Sequence, residues 1–241
     1  MTVLPSERFV LARHTTPGGE IQLQQRPLID GSLAFEIISD GVFLMASYNQ
    51  ASERALAHHA LEAVMTALGS GLRVLVGGLG MGFTLQATLA RDVASVDVVE
   101  VSPYIIEWNR TYFAPLNADA LADPRVRLIQ NDLYTVLRAS PKAAYHAILL
   151  DVDNGPSWLA HENNARLYTL AALERWSALL VPGGSFAVWS AQQEPEFLER
   201  LQTVFGRAEE LSVTDPNQEK GQVDYFIYRG VSPFSTLRAY P

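Results

Sequence analysis

Val74-Leu75-Val76-Gly77-Gly78-Leu79-Gly80-Met81-Gly82-Phe83-Thr84 is the stretch on which the fold turns. Its apolar start has no polar face, as expected of a strand covered on both sides in a parallel sheet. It runs into four glycines within six residues, and a helix-competent segment follows at 84–90. Glycine lets the chain turn sharply and approach a ligand with no Cβ in the way. The next apolar run, Val96-Asp97-Val98-Val99, closes on Glu100, about where a ribose-binding carboxylate belongs. The combination points to a small molecule that carries a nucleoside.

Outward from this stretch, strands alternate with helices. Strands are expected at 73–76, 96–100, 126–129, 147–150 and 185–189, and helices at 104–112, 133–138, 164–180 and 195–205. Two closing strand-like runs, 208–213 and 223–228, flank a polar turn at 216–222 and form an antiparallel edge. Ahead of them, 50–68 has helical period, with Ala57, Leu61, Val64, Met65 and Leu68 on one face. Residues 1–48 differ: Glu20-Ile21-Gln22-Leu23-Gln24 alternates strictly, and Asp40-Gly41 between two apolar runs signals a hairpin. The expected fold is α/β: a seven-stranded, mainly parallel Rossmann-like sheet with an antiparallel C-terminal hairpin. A small antiparallel β domain at 1–48 precedes the nucleoside-binding domain at 49–241.

The 241 residues suffice for one large domain with an appendage, and 48% hydrophobic against 18% charged residues fits a packed globular chain. A net charge of −8 with no Lys/Arg cluster argues against nucleic acid as partner. Cysteine is absent, which excludes disulfides, thiolate zinc sites and a cysteine nucleophile. No run approaches the roughly 20 apolar residues of a membrane span, and the first eight residues lack signal-peptide character. A cytoplasmic protein without membrane contact is expected.

Ligands of such sheets bind at the carboxyl ends of the strands. The glycine loop, Glu100, Asn131-Asp132 and Asp151-Val152-Asp153-Asn154-Gly155-Pro156 all fall there. Successive strand-end acids are hard to explain as packing, because an unpaired buried charge is costly. Asp151 and Asp153 are the candidates for chemistry, able to orient an amine and take its proton. A dinucleotide fingerprint would need a third glycine where Phe83 stands, which disfavours NAD. Trp158 and Tyr48 are candidate walls for an acceptor. His58-His59 is adjacent on a helix, so the side chains should diverge by about 100°. His14, His146 and His161 show no ligand spacing, and no metal is expected.

The chain resembles the spermidine synthase-like branch of the class I S-adenosylmethionine-dependent methyltransferase superfamily. The resemblance rests on Asp40-Gly41, Val74-Leu75-Val76-Gly77-Gly78, Val99-Glu100-Val101, Asn131-Asp132, Tyr145-His146-Ala147-Ile148-Leu149-Leu150-Asp151 and Leu180-Val181-Pro182-Gly183-Gly184. It implies that Glu100 holds the ribose hydroxyls, Asp132 faces the adenine amino group, and Val101 and Leu133 pack on the adenine. Gly78, Leu79, Gly80, Met81 and Gly82, with Asp151, would then take the methionine-derived part. A homodimer is also implied.

Two departures set the functional expectation. Polyamine synthases of this family carry Asp where Gly80 stands, near the amine of decarboxylated S-adenosylmethionine. Their diamine-holding Asp-Glu…Tyr-His segment has no clean match around Ser52-Glu53-Arg54-Ala55-Leu56-Ala57-His58. An acid at position 80 would repel the carboxylate of intact S-adenosylmethionine and a glycine would not. The expectation is therefore methyl transfer from intact S-adenosylmethionine to a small acceptor, an amine being one candidate. Aminopropyl transfer from the decarboxylated form is the alternative, and a non-catalytic nucleoside-binding protein is the second.

Overall fold

The computed structural model describes residues 8–16, 19–28, 30–48, 50–217 and 221–233. The N-terminal residues 1–7 and part of the expected turn at 216–222 lie outside them. Four antiparallel strands come first: β1 (Phe9–Thr16), β2 (Gly19–Pro27), β3 (Leu33–Ser39) and β4 (Val42–Ala46), in that spatial order. The β3–β4 turn is the expected one, with φ of 48° at Asp40 and 77° at Gly41. Positive φ at both central residues is the hairpin geometry that Asp-Gly favours.

Helix α1 (Ala51–Leu68) leads into β5 (Leu72–Gly77), α2 (Phe83–Leu89), β6 (Val93–Glu100) and α3 (Pro103–Arg110). Then come β7 (Val126–Gln130), α4 (Leu133–Ala139), β8 (Tyr145–Leu150), α5 (Leu170–Leu179), β9 (Leu180–Ser190) and α6 (Pro195–Phe205). The chain closes with β10 (Arg207–Asn217) and β11 (Gly221–Val231). The seven strands lie in the order β10-β11-β9-β8-β5-β6-β7. Strands β5 to β9 are parallel, β11 runs against them, and the edge strand β10 is antiparallel to β11.

Alternation along β5 explains its unbroken apolarity. Val74 and Val76 enter one core with Leu56, Leu61 and Phe83, while Leu75 enters the other with Trp176, Phe186 and Phe197. A strand with helices on both faces has no solvent side to make polar. From β5 the chain winds to β6 and β7 on one side and then crosses back to β8 on the other. The loops after β5 and β8 therefore part, and a crevice opens at their carboxyl ends, where such sheets bind ligands.

Two local expectations are corrected. The single helix expected at 164–180 is a 3-10 turn at Glu162–Leu167 followed by α5. Thr169 divides them, its Oγ1 accepting from the Ala172 N–H at 3.2 Å, because a hydroxyl N-cap starts a helix afresh. On α1 the buried stripe is Glu53, Leu56, Ala57, Ala60, Leu61 and Val64, whereas Leu68 at the helix end is exposed.

Candidate functional site

The crevice holds two cavities, of about 190 and 380 Å³. The first lies against the ends of β5, β6, β7 and β8 and is lined by Gly78, Gly80, Glu100, Asp132 and Asp151. The second lies between β4, the start of α1 and strands β9 and β11. Leu44, Met45, Glu53, Asn154 and Trp189 line both, so they form a common wall.

Glycine at 78 is required twice over. Its φ is +87°, and a Cβ there would lie 2.0 Å from the Asp151 carbonyl oxygen. This contact brings the β5 loop against the end of β8. Gly80 has φ +50°, and its missing side chain is replaced by Met45 of β4, whose Sδ would lie 2.8 Å from a Cβ. Leu79 and Met81 point into the core, 4% and 0% exposed, so the loop offers the first cavity glycines and backbone. Gly82 packs against Asn109 and Asn117 and starts α2, away from the lining.

Glu100 is held from two sides. Its Oε2 accepts the Leu79 N–H at 3.0 Å and its Oε1 the Ser102 N–H at 2.7 Å. Burial raises its pKa, and these donors oppose the rise. Each carboxylate oxygen has a second lone pair, so a diol can be received beside the backbone donors. Val101, 59% exposed at the cavity edge, and Leu133 also line it.

Asp132 is more engaged than its implied adenine role requires. Its Oδ1 caps α4 through the Thr135 N–H at 2.9 Å, and its Oδ2 receives Arg166 at 2.6 Å. Asp153, the other candidate for chemistry, lines the first cavity and anchors the following loop. Its Oδ1 accepts from Ala160 N–H at 2.8 Å and Asn164 Nδ2 at 2.9 Å, and its Oδ2 from the Tyr168 hydroxyl at 2.7 Å. Both oxygens are held by the protein, which leaves little capacity for a moving proton.

Asp151 is different. Among the described residues its carboxylate has one hydrogen-bond partner, the Thr84 hydroxyl at 2.6 Å. Glu53, in the first turn of α1, is 5% exposed, and its carboxylate accepts from Ser52 Oγ at 2.8 Å. No ion pair reaches either acid among the described residues. Burial, and then the charge of Asp151, push the Glu53 pKa up to about 8, and burial raises Asp151 as well.

Glu53 was missed in the sequence because the family's segment has no clean match there. The available signal was its place on α1: it stands four residues before Ala57, at the head of the buried stripe. A carboxylate on an apolar stripe is a candidate site residue. Behind it, Asp215 of β10 accepts the Ala51 N–H at 3.0 Å, so a distant strand supplies the helix start with its anion.

The raised acids fix the sign of a pH effect. A carboxylate whose folded pKa lies above its unfolded value favours the folded state while protonated and penalises it once charged. The ligand-free protein should therefore lose stability as pH climbs from about 4.5 towards about 8, the window of Glu53. Each unit of separation corresponds to about 1.4 kcal/mol. Thermal melts across this range should show the wild type falling and Glu53→Gln staying flatter. Parallel curves would remove Glu53 as the cause.

The remaining expectations divide. Trp158 and Tyr48 both line the second cavity, and His161 lines the first. His58 and His59 do not diverge as expected: their rings stand edge to face at 5.2 Å, and with Glu62 their ligand atoms lie within 4.8 Å. His58 Nε2 lies 3.3 Å from Glu62, while the Arg91 guanidinium packs against His58 Nδ1. No helix among the described residues is long and apolar enough to cross a membrane.

Residues 36–208 match the family described as the spermine/spermidine synthase domain. "Polyamine aminopropyltransferase 2" of Streptomyces coelicolor is 28% identical over 200 residues, covering 78% of this chain and 34% of that protein. The chain spans about a third to a half of the length of the first curated relatives it matches. A spermidine synthase from Thermotoga maritima superposes with a TM-score of 0.74 at 16% identity, over 97% of this chain and 76% of that one. A spermidine synthase in complex with the transition-state analogue AdoDATO also gives 0.74, at 18% identity over 97% and 77%.

Proposed function

The chain belongs to the spermine/spermidine synthase family, and from that membership we propose that it transfers an aminopropyl group from decarboxylated S-adenosylmethionine to an amine. The observation that carries the reading is the pair Glu53 and Asp151, two buried carboxylates with no cationic partner among the described residues. Such acids call for a cation from the ligand. The decarboxylated donor ends in an ammonium, and so does a protonated amine acceptor. The carboxylate of intact S-adenosylmethionine would instead meet like charge, at a cost of about 4 kcal/mol for a 4 Å separation near a protein surface.

This reading corrects the expectation of methyl transfer. The relatives are named polyamine aminopropyltransferases, and the matching family is that of the spermine and spermidine synthases. The argument from Gly80 failed because it treated one position as the whole charge of the donor's amine end. Met45 occupies the space at Gly80, and acids reach the cavity from α1 and β8.

In the proposed step, the acceptor nitrogen attacks the aminopropyl carbon attached to the sulfonium sulfur. The C–N bond forms as the C–S bond breaks, and the bonding pair goes to sulfur. The products are a neutral thioether, methylthioadenosine, and an aminopropylated amine. The leaving group needs no acid. The proton shed by the nitrogen passes to Glu53, the one carboxylate that lines both cavities, and a pKa near 8 suits that exchange. Asp151 holds the donor's ammonium and Glu100 its ribose. The seven-stranded sheet and its helices form the donor-binding unit, and the N-terminal β unit closes it with Leu44 and Met45.

Incubation with decarboxylated S-adenosylmethionine and a panel of primary amines should release methylthioadenosine only when both are present. The decarboxylated donor should also bind at least tenfold tighter than the intact form. Equal affinity for the two, or no methylthioadenosine with any amine, would overturn the reading.

A further inference from the structure

The second cavity has a marked charge asymmetry between its ends. At the wall shared with the donor cavity stands Glu53, without a cationic partner among the described residues. At the other end stands Glu36, 3% exposed, and its carboxylate is paired with neighbouring side chains. Oε1 takes the Arg26 guanidinium and the Tyr48 hydroxyl at 3.3 Å. Oε2 takes the Gln24 amide at 2.7 Å and lies 3.7 Å from Arg8 Nε. Three hydrogen bonds and the charges of two guanidinium groups therefore offset the Glu36 carboxylate.

The aromatic face at that end is occupied as well. Arg26 lies over the Tyr48 ring, 4.8 Å from its centroid, which is where a ligand ammonium would seek a cation–π contact. Arg8, lining the same end, adds a second positive charge. Between the ends the walls are neutral and flat: Phe43, Trp158, Trp189 and Tyr225. The Tyr225 phenol is pushed up to about 12 by burial and by the nearby charges of Glu53 and Asp215, so it carries no charge at neutral pH.

We propose that the acceptor is an amine with one cationic end, whose far end is uncharged and apolar or aromatic. This rests on the aminopropyl-transfer reading and names its acceptor class. The near ammonium meets Glu53, and the hydrocarbon or aryl remainder lies among the aromatic walls. A second ammonium at the far end would leave water, meet no unpaired carboxylate among the described residues and face two guanidinium groups, a costly arrangement. The chemistry is that already written: nitrogen bonds to the aminopropyl carbon, sulfur keeps the electron pair, and the proton goes to Glu53. The product is an N-substituted 1,3-diaminopropane.

Butylamine, 2-phenylethylamine and putrescine separate the possibilities, because butylamine and putrescine differ only in the distal ammonium. With the full chain and saturating decarboxylated S-adenosylmethionine, the rate of methylthioadenosine release gives kcat/KM for each. Butylamine and 2-phenylethylamine are each expected to exceed putrescine at least tenfold. Putrescine equal to or better than butylamine overturns this inference and leaves aminopropyl transfer standing. No methylthioadenosine from any of the three overturns both.

Discussion

Glu53→Gln is expected to lower kcat for methylthioadenosine release by about 10²- to 10⁴-fold, the range that a positioned general base contributes. The substitution keeps the shape of a side chain that is 5% exposed and removes its charge and its basicity. A damaged fold is the obvious competing explanation, and the raised pKa distinguishes the two. Burial and Asp151 disfavour the charged carboxylate, so the neutral amide should raise the melting temperature of the ligand-free protein near pH 8 and above. Loss of turnover together with equal or higher stability identifies a functional acid. The wild-type pH profile should show an ascending limb as Glu53 ionises, and the variant should lose that limb. A kcat within threefold of wild type would remove Glu53 from the chemistry.

Glu100→Gln is the second large effect, and it acts on the nucleoside half of the site. Each Glu100 oxygen accepts a backbone N–H, from Leu79 at 3.0 Å and Ser102 at 2.7 Å. An amide has one carbonyl oxygen, so its NH₂ must turn toward one of these donors and leave it unsatisfied. A buried donor without a partner costs about 1–3 kcal/mol. Ligand binding should fall further, because hydrogen bonds to a charged group contribute about 1.5–3 kcal/mol each and 1.4 kcal/mol is tenfold. Titration calorimetry with methylthioadenosine, which has the ribose but no aminopropyl group, should show roughly a hundredfold weaker binding or worse. The same ligand should bind Glu53→Gln much as it binds the wild type. Unchanged affinity in Glu100→Gln would mean that the ribose lies elsewhere.

The two variants fall on opposite sides of what the sequence made legible. Glu100 ends an apolar run after a glycine loop, and each part of that signal is local. The alternation of strands and helices, the Asp40-Gly41 hairpin and the doubly covered β5 were legible for the same reason: period and turn chemistry act over a few residues. The break at Thr169 was local too, but its hydroxyl cap was overlooked within an apolar helical pattern. Asp153 looked like Asp151 in sequence, since two acids two residues apart carry no mark of which one the loop will use. Tyr168, fifteen residues on, together with Ala160 and Asn164, engages Asp153.

The sequence by itself determined the α/β fold and the places of Glu100 and Asp151 at strand ends, because strand-end positions follow from pattern and connectivity. Only the tertiary structure decided the charge of the amine end. It brings Met45 from the N-terminal sheet to the space beside Gly80, and Glu53 from α1 to the wall shared by both cavities. The physical reason is range: hydrophobic period and turn preference act between neighbours, whereas charge in a cavity is a sum over every element packed around it. A single glycine in the loop therefore pointed toward the intact donor, and two acids brought in by the fold support the decarboxylated one.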